Sequence, residues 1–331
     1  MADVELRNVT KFFGKDIGVE EVSLTINDGE FVVLLGPTGA GKTTTLRLIA
    51  GLEKPDCGEI LIDGSNIVND SPAQRDVAMV FQQYSLYPHL SVRENLEFPL
   101  KSPILKTPAD VMKQKVNDVA EVLRISHKLD NKATELSGGE MQRVSMGRAL
   151  VRNPRIYLMD EPLSSLDAKL RSELRIELKR IQAELGATIL YVTHDQIEAM
   201  TMATKIGVLN NGRLEQFGTP REIYENPSSL YVATRLGSPR INTLPVSIFG
   251  GAPSGSALMG LRPEHIQFGS GLDSKVTRIE HLGDQTRLHL RLDDHDIITL
   301  TDPHTPIHVG DVVAIQPSNP LFFNTNGSRV A

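Results

Sequence analysis

A glycine-rich segment constrains the fold of this chain more than any other feature. Residues 36–43 read GPTGAGKT and fit the pattern G-x-x-x-x-G-K-[ST] at every defined position. The apolar run FVVLL (31–35) before it predicts a buried strand, and the segment after it predicts a helix that ends at Gly51. The succession of strand, loop and helix predicts an α/β fold with a phosphate-binding loop.

The same loop has the chemistry that phosphates require. Its glycines let successive backbone N–H groups turn towards an anion, and the helix N-terminus adds its positive end. We expect Lys42 to neutralise the outer phosphates and the Thr43 hydroxyl to ligate Mg²⁺. A glycine-rich turn that binds nothing is the alternative, and the match in both residues and context disfavours it. The predicted nucleotide-binding residues of the loop are Gly36, Pro37, Thr38, Gly39, Ala40, Gly41, Lys42, Thr43 and Thr44.

Other predicted strands end in polar side chains that suit nucleotide hydrolysis. Asp160 and Glu161 follow the apolar run IYLM. We expect Asp160 to bind Mg²⁺ and Glu161 to act as a general base on the attacking water. His194 also follows a strand and can reach a γ-phosphate, and Gln82 can hydrogen-bond the water or the metal. Each residue alone is more often structural or simply solvated, but together with the loop they indicate a nucleotide hydrolase.

A second glycine turn, ELSGGEMQR at residues 135–143, opens another predicted helix. Ser137 can cap that helix, while Gly138 and Gly139 can expose backbone N–H groups to an anion. The spacing Ser137-x-x-Glu140 also satisfies a capping box, which requires no anion. The two interpretations are compatible.

Composition argues against several classes of protein. With 331 residues, a net charge of −6 and a pI of about 5.9, the chain lacks the basic footprint of a nucleic-acid-binding protein, so we expect no nucleic-acid partner. The single cysteine, Cys57, cannot form a disulfide within the chain, which fits a reducing compartment. No apolar run approaches the ~18 residues that a membrane span needs, so we expect that the chain does not cross a membrane by itself.

The character of the sequence changes near residues 237–240. From about residue 236, short alternating apolar segments are separated by turns rich in Gly, Pro and Asp, as in LRPEHIQF and TRLHLRL. This pattern predicts a small all-β domain at 237–331 after a larger α/β domain at 1–236.

Five segments of the larger domain occur in the order and spacing typical of one family. With them the chain resembles the ATP-binding-cassette (ABC) ATPases, and most of all the ATPase subunit of maltose-type bacterial carbohydrate importers. The five segments are GPTGAGKTT, VFQQYSLYPHLSVREN, LSGGEMQR, LMDEPLSSLD and YVTHDQIEAM. LGSPRIN, GLRPEHI and EHLGDQT are similar to the TOBE-like regulatory domain appended in that subfamily.

The resemblance implies a P-loop NTPase core, a helical subdomain at about 84–150 and a small OB-like β domain. It also implies an ATPase with ATP and Mg²⁺ as cofactors. The catalytic residues would be Glu161, His194 and Gln82. The metal would be held, partly through water, by Thr43, Gln82 and Asp160.

Further roles come from the resemblance alone. Phe13 stands at the position that stacks on adenine; the adjacent Phe12 is an alternative, and either could belong to the core. A partner subunit's ATP would be contacted by Ser137, Gly138, Gly139, Glu140 and Asp167. The commonest form of the family has glutamine where Glu140 stands, and a carboxylate there would repel phosphates unless it points away.

The implied partners are a second copy of the chain, two transmembrane permease subunits and, indirectly, an extracytoplasmic solute-binding protein. The helical insert would carry the groove that docks a permease, with residues 84–89 near its edge. Such a protein would sit peripherally at the cytoplasmic face of the bacterial inner membrane.

The favoured function is therefore the energy-coupling subunit of an importer for a carbohydrate, glycoside or polyol derivative, driven by ATP-dependent dimer closure. The alternatives are an importer of polyamines or inorganic ions and a soluble ABC ATPase outside transport. The soluble alternative is disfavoured because about 95 residues separate Lys42 from Ser137, which leaves no room for the long coiled coil of DNA-repair cassettes. The ATPase subunit does not touch the solute, so no residue here identifies it.

Overall fold

The computed structural model describes residues 2–102 and 107–330. The chain divides into two compact units, Met1–Pro220 and Arg221–Ala331. This division lies earlier in the chain than the predicted join at residues 236–237.

The first unit combines strands and helices, and the two alternate from β7 to β9. Its strands are β1 (Val4–Phe13), β2 (Asp16–Ile26), β3 (Phe31–Leu35), β4 (Cys57–Ile62), β5 (Ser65–Asn66), β6 (Val77–Val80), β7 (Ile156–Asp160), β8 (Ile189–Thr193), β9 (Lys205–Asn210) and β10 (Arg213–Gly218). Its helices are α1 (Lys42–Ala50), α2 (Val92–Glu97), α3 (Ala109–Val122), α4 (Gly138–Leu150), α5 (Ala168–Leu185) and α6 (Gln196–Met202).

The central sheet of this unit has the strand order β10-β9-β3-β8-β7-β6. Strands β9, β3, β8, β7 and β6 are parallel, and β10 pairs antiparallel at the edge. All five residues of β3, β7 and β8 are buried, which explains why these strands read as continuous apolar runs. In register, Leu35 pairs with Thr193 and Asp160 pairs with Val192. The carboxyl ends of these strands therefore form one edge, and the predicted α/β P-loop fold is confirmed.

A second, antiparallel sheet has the order β2-β1-β4-β5. Leu46 and Ile49 of α1 belong to the same buried cluster as Val4 of this sheet and Leu34 of the central one. Helix α1 is thus packed among residues of both sheets, and the loop that precedes it is anchored on a rigid scaffold. As predicted, α1 ends at Gly51, whose φ of 76° lies in the left-handed region that favours glycine.

Helices α2, α3 and α4 lie within the stretch where the sequence predicted a helical subdomain. Ser91 caps α2: its hydroxyl accepts a hydrogen bond from the Glu94 N–H at 3.2 Å, and the Glu94 carboxylate accepts one from the Ser91 N–H at 2.7 Å. This reciprocal arrangement satisfies two backbone donors that a helix end otherwise leaves unpaired.

The second unit is mainly β, as the alternating apolar segments of the sequence predicted. Its strands are β11 (Asn242–Pro245), β12 (Leu258–Leu261), β13 (Ile266–His281), β14 (Thr286–Leu292), β15 (His295–Thr301), β16 (Val312–Pro317), β17 (Leu321–Phe323) and β18 (Arg329–Val330). They form two antiparallel sheets, β11-β12-β17-β18 and β15-β14-β13-β16. Two short helices come before the strands, α7 (Pro220–Glu225) and α8 (Leu230–Arg235).

Arg262 contributes to the association of both short helices with the β-rich unit. Its side chain is only 2% exposed, and its guanidinium donates to the carbonyls of Ala233 (3.2 Å), Leu236 and Tyr224 (2.9 Å). The guanidinium carbon also lies 3.8 Å from the centre of the Tyr224 ring. These carbonyls lie at the C-terminal ends of α7 and α8, where a cation is electrostatically favourable. One arginine from the end of β12 therefore joins both helices to the β fold.

Replacing Arg262 by methionine should lower the stability of the second unit by about 3 kcal/mol, because three buried carbonyls lose a charged donor. Hydrogen exchange of the amides in α7 and α8 and the urea midpoint of the full chain would measure this. Arg221→Met is the matched control, because its side chain is 83% exposed and pairs only with Glu225 among the described ion pairs. A midpoint and exchange rates equal to those of the control would refute the assigned role of Arg262.

Candidate active site

The edge formed by the carboxyl ends of β3, β7 and β8 gathers the predicted polar residues. The phosphate-loop segment leaves β3, Asp160 ends β7, Glu161 follows it, and His194 follows β8. Parallel pairing in register brings these positions together although they are far apart in the sequence. This is the edge at which open α/β sheets bind ligands.

The loop itself is shaped for close approach. Gly41 has a φ of 99°, and a Cβ atom placed on it would lie 2.5 Å from the carbonyl oxygen of Gly18. Only glycine satisfies both constraints, and the N-terminus of α1 begins at the next residue.

Lys42 is the buried cation of the site. Its side chain is 6% exposed, and its ammonium donates to the carbonyls of Gly36 at 2.9 Å and Pro37 at 3.0 Å. Glu161 Oε1 lies 3.7 Å from the same nitrogen. Burial lowers the pKa of Lys42, while the carboxylates of Glu161 and Asp160 oppose that shift. The two carbonyls hold the Lys42 ammonium at the opening of its own loop, close to Glu161.

Thr43 and Asp160 form an oxygen pair suited to a hard cation. The Thr43 hydroxyl donates to Asp160 Oδ1 at 3.0 Å. Asp160 is buried, and that burial raises the pKa of its carboxyl, with the hydrogen bond from Thr43 opposing the shift. A hydroxyl and a carboxylate beside a phosphate loop are the ligands that Mg²⁺ takes in this kind of site. The residues present therefore fit a magnesium ion accompanying a nucleotide.

Glu161 and His194 form a direct pair. Glu161 Oε2 lies 2.9 Å from His194 Nδ1, and the imidazole is 59% exposed. The φ of Glu161 is 44°, a left-handed conformation that costs a non-glycine residue roughly 1–2 kcal/mol. The backbone is held there by the Glu161 N–H, which donates to the Val192 carbonyl at 3.0 Å. The result is a carboxylate fixed between a lysine and a histidine.

Gln82 lies on the neighbouring strand end. Strand β6 pairs with β7 through Val80 and Met159, and Gln82 follows two residues beyond the end of β6. Its side chain is exposed. Gln82 is therefore at the same edge as Asp160.

The structure distinguishes Phe13 from Phe12 by position. Both rings are similarly exposed, at 44% and 41%. A Cβ atom placed on Gly18 would lie 2.8 Å from Cε2 of Phe13, so this ring lies against Gly18, whose carbonyl contacts Gly41 of the loop. Phe12 precedes Phe13 in β1, and the alternation of side chains along a strand directs it to the opposite face. Of the two candidates, Phe13 is the one beside the loop.

The second glycine turn has the capping geometry that the sequence predicted. The Glu140 carboxylate accepts hydrogen bonds from the Ser137 N–H at 2.8 Å and the Ser137 hydroxyl at 2.9 Å, and the Glu140 N–H donates to Ser137 Oγ at 3.4 Å. Lys128 Nζ lies 3.2 Å from the other carboxylate oxygen. The backbone hydrogen bond from Ser137 is the largest cause that lowers the pKa of Glu140. The carboxylate is thus folded back on the cap and neutralised by Lys128.

The glycines of this turn lie close to the first turn of α5 and to Tyr84. A Cβ atom on Gly139 would lie 2.3 Å from Leu170 Cδ2, and one on Gly138 would lie 3.1 Å from the Tyr84 hydroxyl. Tyr84 in turn donates to Ser165 Oγ at 3.3 Å. Asp167 caps α5, its Oδ1 accepting from the Leu170 N–H at 2.9 Å. The exposed serine Ser137 and the turn before α5 are therefore linked on one surface of the first unit.

The sequence analysis did not single out a network behind His194. Asp195 caps α6, and Thr193 Oγ1 accepts from the Asp195 N–H at 3.0 Å and donates to Glu198 at 2.6 Å. Tyr191 also donates to the same Glu198 oxygen, at 2.9 Å. The spacing Asp195-x-x-Glu198 signals the cap, but the burial of Glu198 and its partners follows only from the packing of β8 against α6.

Comparison with known proteins finds matches to two families in the chain. Residues 19–164 match the ABC transporter family, and residues 259–319 match the TOBE domain. The first match covers the phosphate loop, the second glycine turn and the acidic strand end. The second falls within the β-rich unit.

Two curated relatives and a solved structure extend this result. The uncharacterized ABC transporter ATP-binding protein y4oS of Sinorhizobium fredii is 42% identical over 100% of this chain and 95% of its own length. The sn-glycerol-3-phosphate import ATP-binding protein UgpC of Psychromonas ingrahamii is 45% identical over 95% of this chain and 91% of its own.

The solved structure is a dimeric, post-hydrolysis state of the ATP-binding cassette MJ0796 bound to ADP and Pi. It is 33% identical and superposes with a TM-score of 0.59 over 66% of this chain and 99% of that one. The family match, the relatives that align over nearly the full length and the solved structure that covers 66% of the chain all agree with the geometry of the strand-end site. The chain therefore belongs to the ABC transporter family, as one of its ATP-hydrolysing import subunits that carry a TOBE domain.

Proposed function

We propose that ATP is hydrolysed at the strand-end edge and that Glu161 is the general base. The observation that carries this proposal is the position of the Glu161 carboxylate, 2.9 Å from His194 and 3.7 Å from Lys42. A base beside the phosphate-binding lysine can take a proton from water as that water attacks the terminal phosphate. His194, half-exposed and paired with Glu161, orients the carboxylate and reaches the γ-phosphate.

The phosphates are held by the loop before α1, through backbone N–H groups, the helix N-terminus and Lys42. Thr43 and Asp160 would hold Mg²⁺, with Gln82 contributing from the neighbouring strand end, partly through water. The ion would supply positive charge against the phosphates. Phe13 stacks on the adenine, since its ring lies against Gly18 beside the loop.

A second copy of the chain completes each site. Ser137, Gly138, Gly139, Glu140 and Asp167 contact the nucleotide bound by the partner. Support comes from the exposed position of Ser137 and from the dimeric state of MJ0796. The fold-back of Glu140 onto Ser137 and Lys128 lets a carboxylate stand here with reduced repulsion of phosphates.

Permease subunits dock in a groove of about 230 Å³ beside β6 and α4. Phe81, Tyr84 and Phe98 give it aromatic walls, and Arg148 adds positive charge. A permease segment with apolar and acidic side chains is complementary to such a surface. No helix among residues 2–102 and 107–330 is long and apolar enough to cross a membrane. The chain would thus act peripherally, at the cytoplasmic face of the inner membrane.

The imported solute is proposed to be a phosphorylated polyol of the sn-glycerol 3-phosphate class. The import protein from Psychromonas ingrahamii supports this, being 45% identical over 95% of the chain. The proposal narrows the broader class of carbohydrate, glycoside and polyol derivatives. A polyamine or inorganic-ion importer is the competing assignment.

Glu161→Gln should retain ATP binding and lose hydrolysis by roughly 10²–10⁴, the usual contribution of a positioned general base. Phosphate release from the purified full chain measures turnover, and titration with a fluorescent nucleotide measures binding. Glu184→Gln, an exposed glutamate of α5, is the matched control. Lys42→Ala should instead weaken the binding of ATP. Near wild-type turnover of Glu161→Gln would contradict the assignment of the base.

Ser137→Arg should abolish turnover while leaving ATP binding by one chain intact, because an arginine here obstructs contact with a second copy. Specific activity of the wild-type chain should rise with protein concentration, and sedimentation in the Glu161→Gln background should show an ATP-dependent dimer. Ser65→Arg, at an exposed serine of the antiparallel sheet, controls for the added charge. Full activity of Ser137→Arg, independent of concentration, would mean that the turn is only a helix cap.

A strain that lacks this chain should lose uptake of radiolabelled sn-glycerol 3-phosphate, and the wild-type gene, unlike the Glu161→Gln form, should restore it. Putrescine and sulfate uptake are measured in parallel. Normal glycerol phosphate uptake with loss of either of the other two would reassign the solute and leave the ATPase assignment untouched.

A further inference from the structure

We propose that Arg171 is a positioning residue that couples the turn 164–167 to His194. Arg171 lies one turn into α5, and none of the roles assigned above includes it. The inference rests on the proposed function, since it concerns how contact with a second copy reaches the hydrolytic pair.

The first link joins Arg171 to the turn. Its guanidinium Nη2 donates to the Leu166 carbonyl at 2.8 Å. Leu166 is buried and stands between Ser165 and Asp167, so the hydrogen bond fixes the backbone of the segment that is proposed to face the partner. A displacement of the turn would therefore move the guanidinium or break this bond.

The second link joins Arg171 to the residue after His194. Arg171 Nη1 lies 3.7 Å from Asp195 Oδ2, and both side chains are only partly exposed. The other carboxylate oxygen of Asp195 caps α6 by accepting from the Ile197 N–H at 2.7 Å. Asp195 is thereby fixed on two sides, by a helix end and by the arginine.

His194 is held between two such fixed neighbours. On its other side, Thr193 donates to the buried Glu198 at 2.6 Å and accepts from the Asp195 N–H. With its backbone held on both sides, the imidazole has a defined approach to Glu161 Oε2, 2.9 Å away.

The contacts close into a ring. The Ser164 hydroxyl donates to the Glu161 carbonyl at 2.9 Å, so the turn also connects directly to the proposed base. The ring runs through Glu161, the turn 164–167, Arg171, Asp195 and His194. A planar guanidinium with several donors can bridge a carbonyl and a carboxylate at once, which the single ammonium of lysine does less well. Contact between the turn 164–167 and a second copy of the chain would consequently set the geometry of the His194–Glu161 pair.

The test compares variants of the purified full chain. Arg171→Ala should lower kcat for ATP by roughly tenfold to a hundredfold, the effect of misplacing catalytic groups by about an ångström, with KM for ATP changed less than about twofold. Arg171→Lys should recover part of the loss. In the Glu161→Gln background, Arg171→Ala should still form the ATP-dependent dimer. Arg175→Ala is the matched control. Arg175 lies one helical turn further along α5, and none of the described ion pairs or hydrogen bonds joins it to the turn 164–167 or to Asp195.

Asp195→Asn provides the second arm, because asparagine keeps the helix cap and loses the charge. If the two residues act through one link, the double variant should lose no more kcat than the stronger single variant. Additive losses, a kcat for Arg171→Ala equal to that of Arg175→Ala, or a proportionate rise in KM would overturn the inference. Absence of ATP hydrolysis in the wild-type and Arg175→Ala chains would instead reject the proposed function itself.

Discussion

The in-register pairing of the parallel strands β3, β8 and β7 is the constraint on which the site depends. Each of these strands is buried along its whole length, and its charged residues stand only at or beyond its end. Lys42, Asp160, Glu161 and His194 all take such positions. Hydrogen bonding between the strands therefore aligns, at one edge, groups that come from distant parts of the chain.

Within that edge, the charged groups are held in place by their neighbours. The ammonium of Lys42 is held by two carbonyls of its own loop and faces the carboxylate of Glu161. Thr43 orients the buried carboxyl of Asp160. These groups are thus fixed by the backbone and by neighbouring side chains. The backbone of Glu161 is fixed in a similar way. Its hydrogen bond to the sheet holds it in a left-handed conformation that an unconstrained chain rarely adopts.

One arginine in each unit has a similar structural role. Arg262 gathers the carbonyls at the ends of α7 and α8, and Arg171 spans from the Leu166 carbonyl to the Asp195 carboxylate. In each case one side chain connects segments that share no strand pairing. The guanidinium suits this role because its charge persists on burial and its donors point in several fixed directions. The carbonyl partners of Arg262 all lie in the second unit, which begins at Arg221.

The sequence by itself determined the fold class, the phosphate loop and the family, because these depend on local patterns. An apolar run, a glycine loop and a helix signal lie within twenty residues of one another, and a capping box such as Ser137-x-x-Glu140 needs only four. The sequence also predicted Asp160, Glu161 and His194 as partners of Lys42, since polar residues after buried strands point to a shared edge.

The tertiary structure decided everything that depends on contacts between distant segments. It separated Phe13 from Phe12, because only the packing of the ring on Gly18 shows which one borders the loop. It turned Glu140 onto Lys128, and it grouped residues 221–236 with the β-rich strands in one compact unit. It also joined Arg171 to Asp195. No periodicity or spacing encodes such pairs, because which side chains meet across the core is fixed only when helices and sheets pack together.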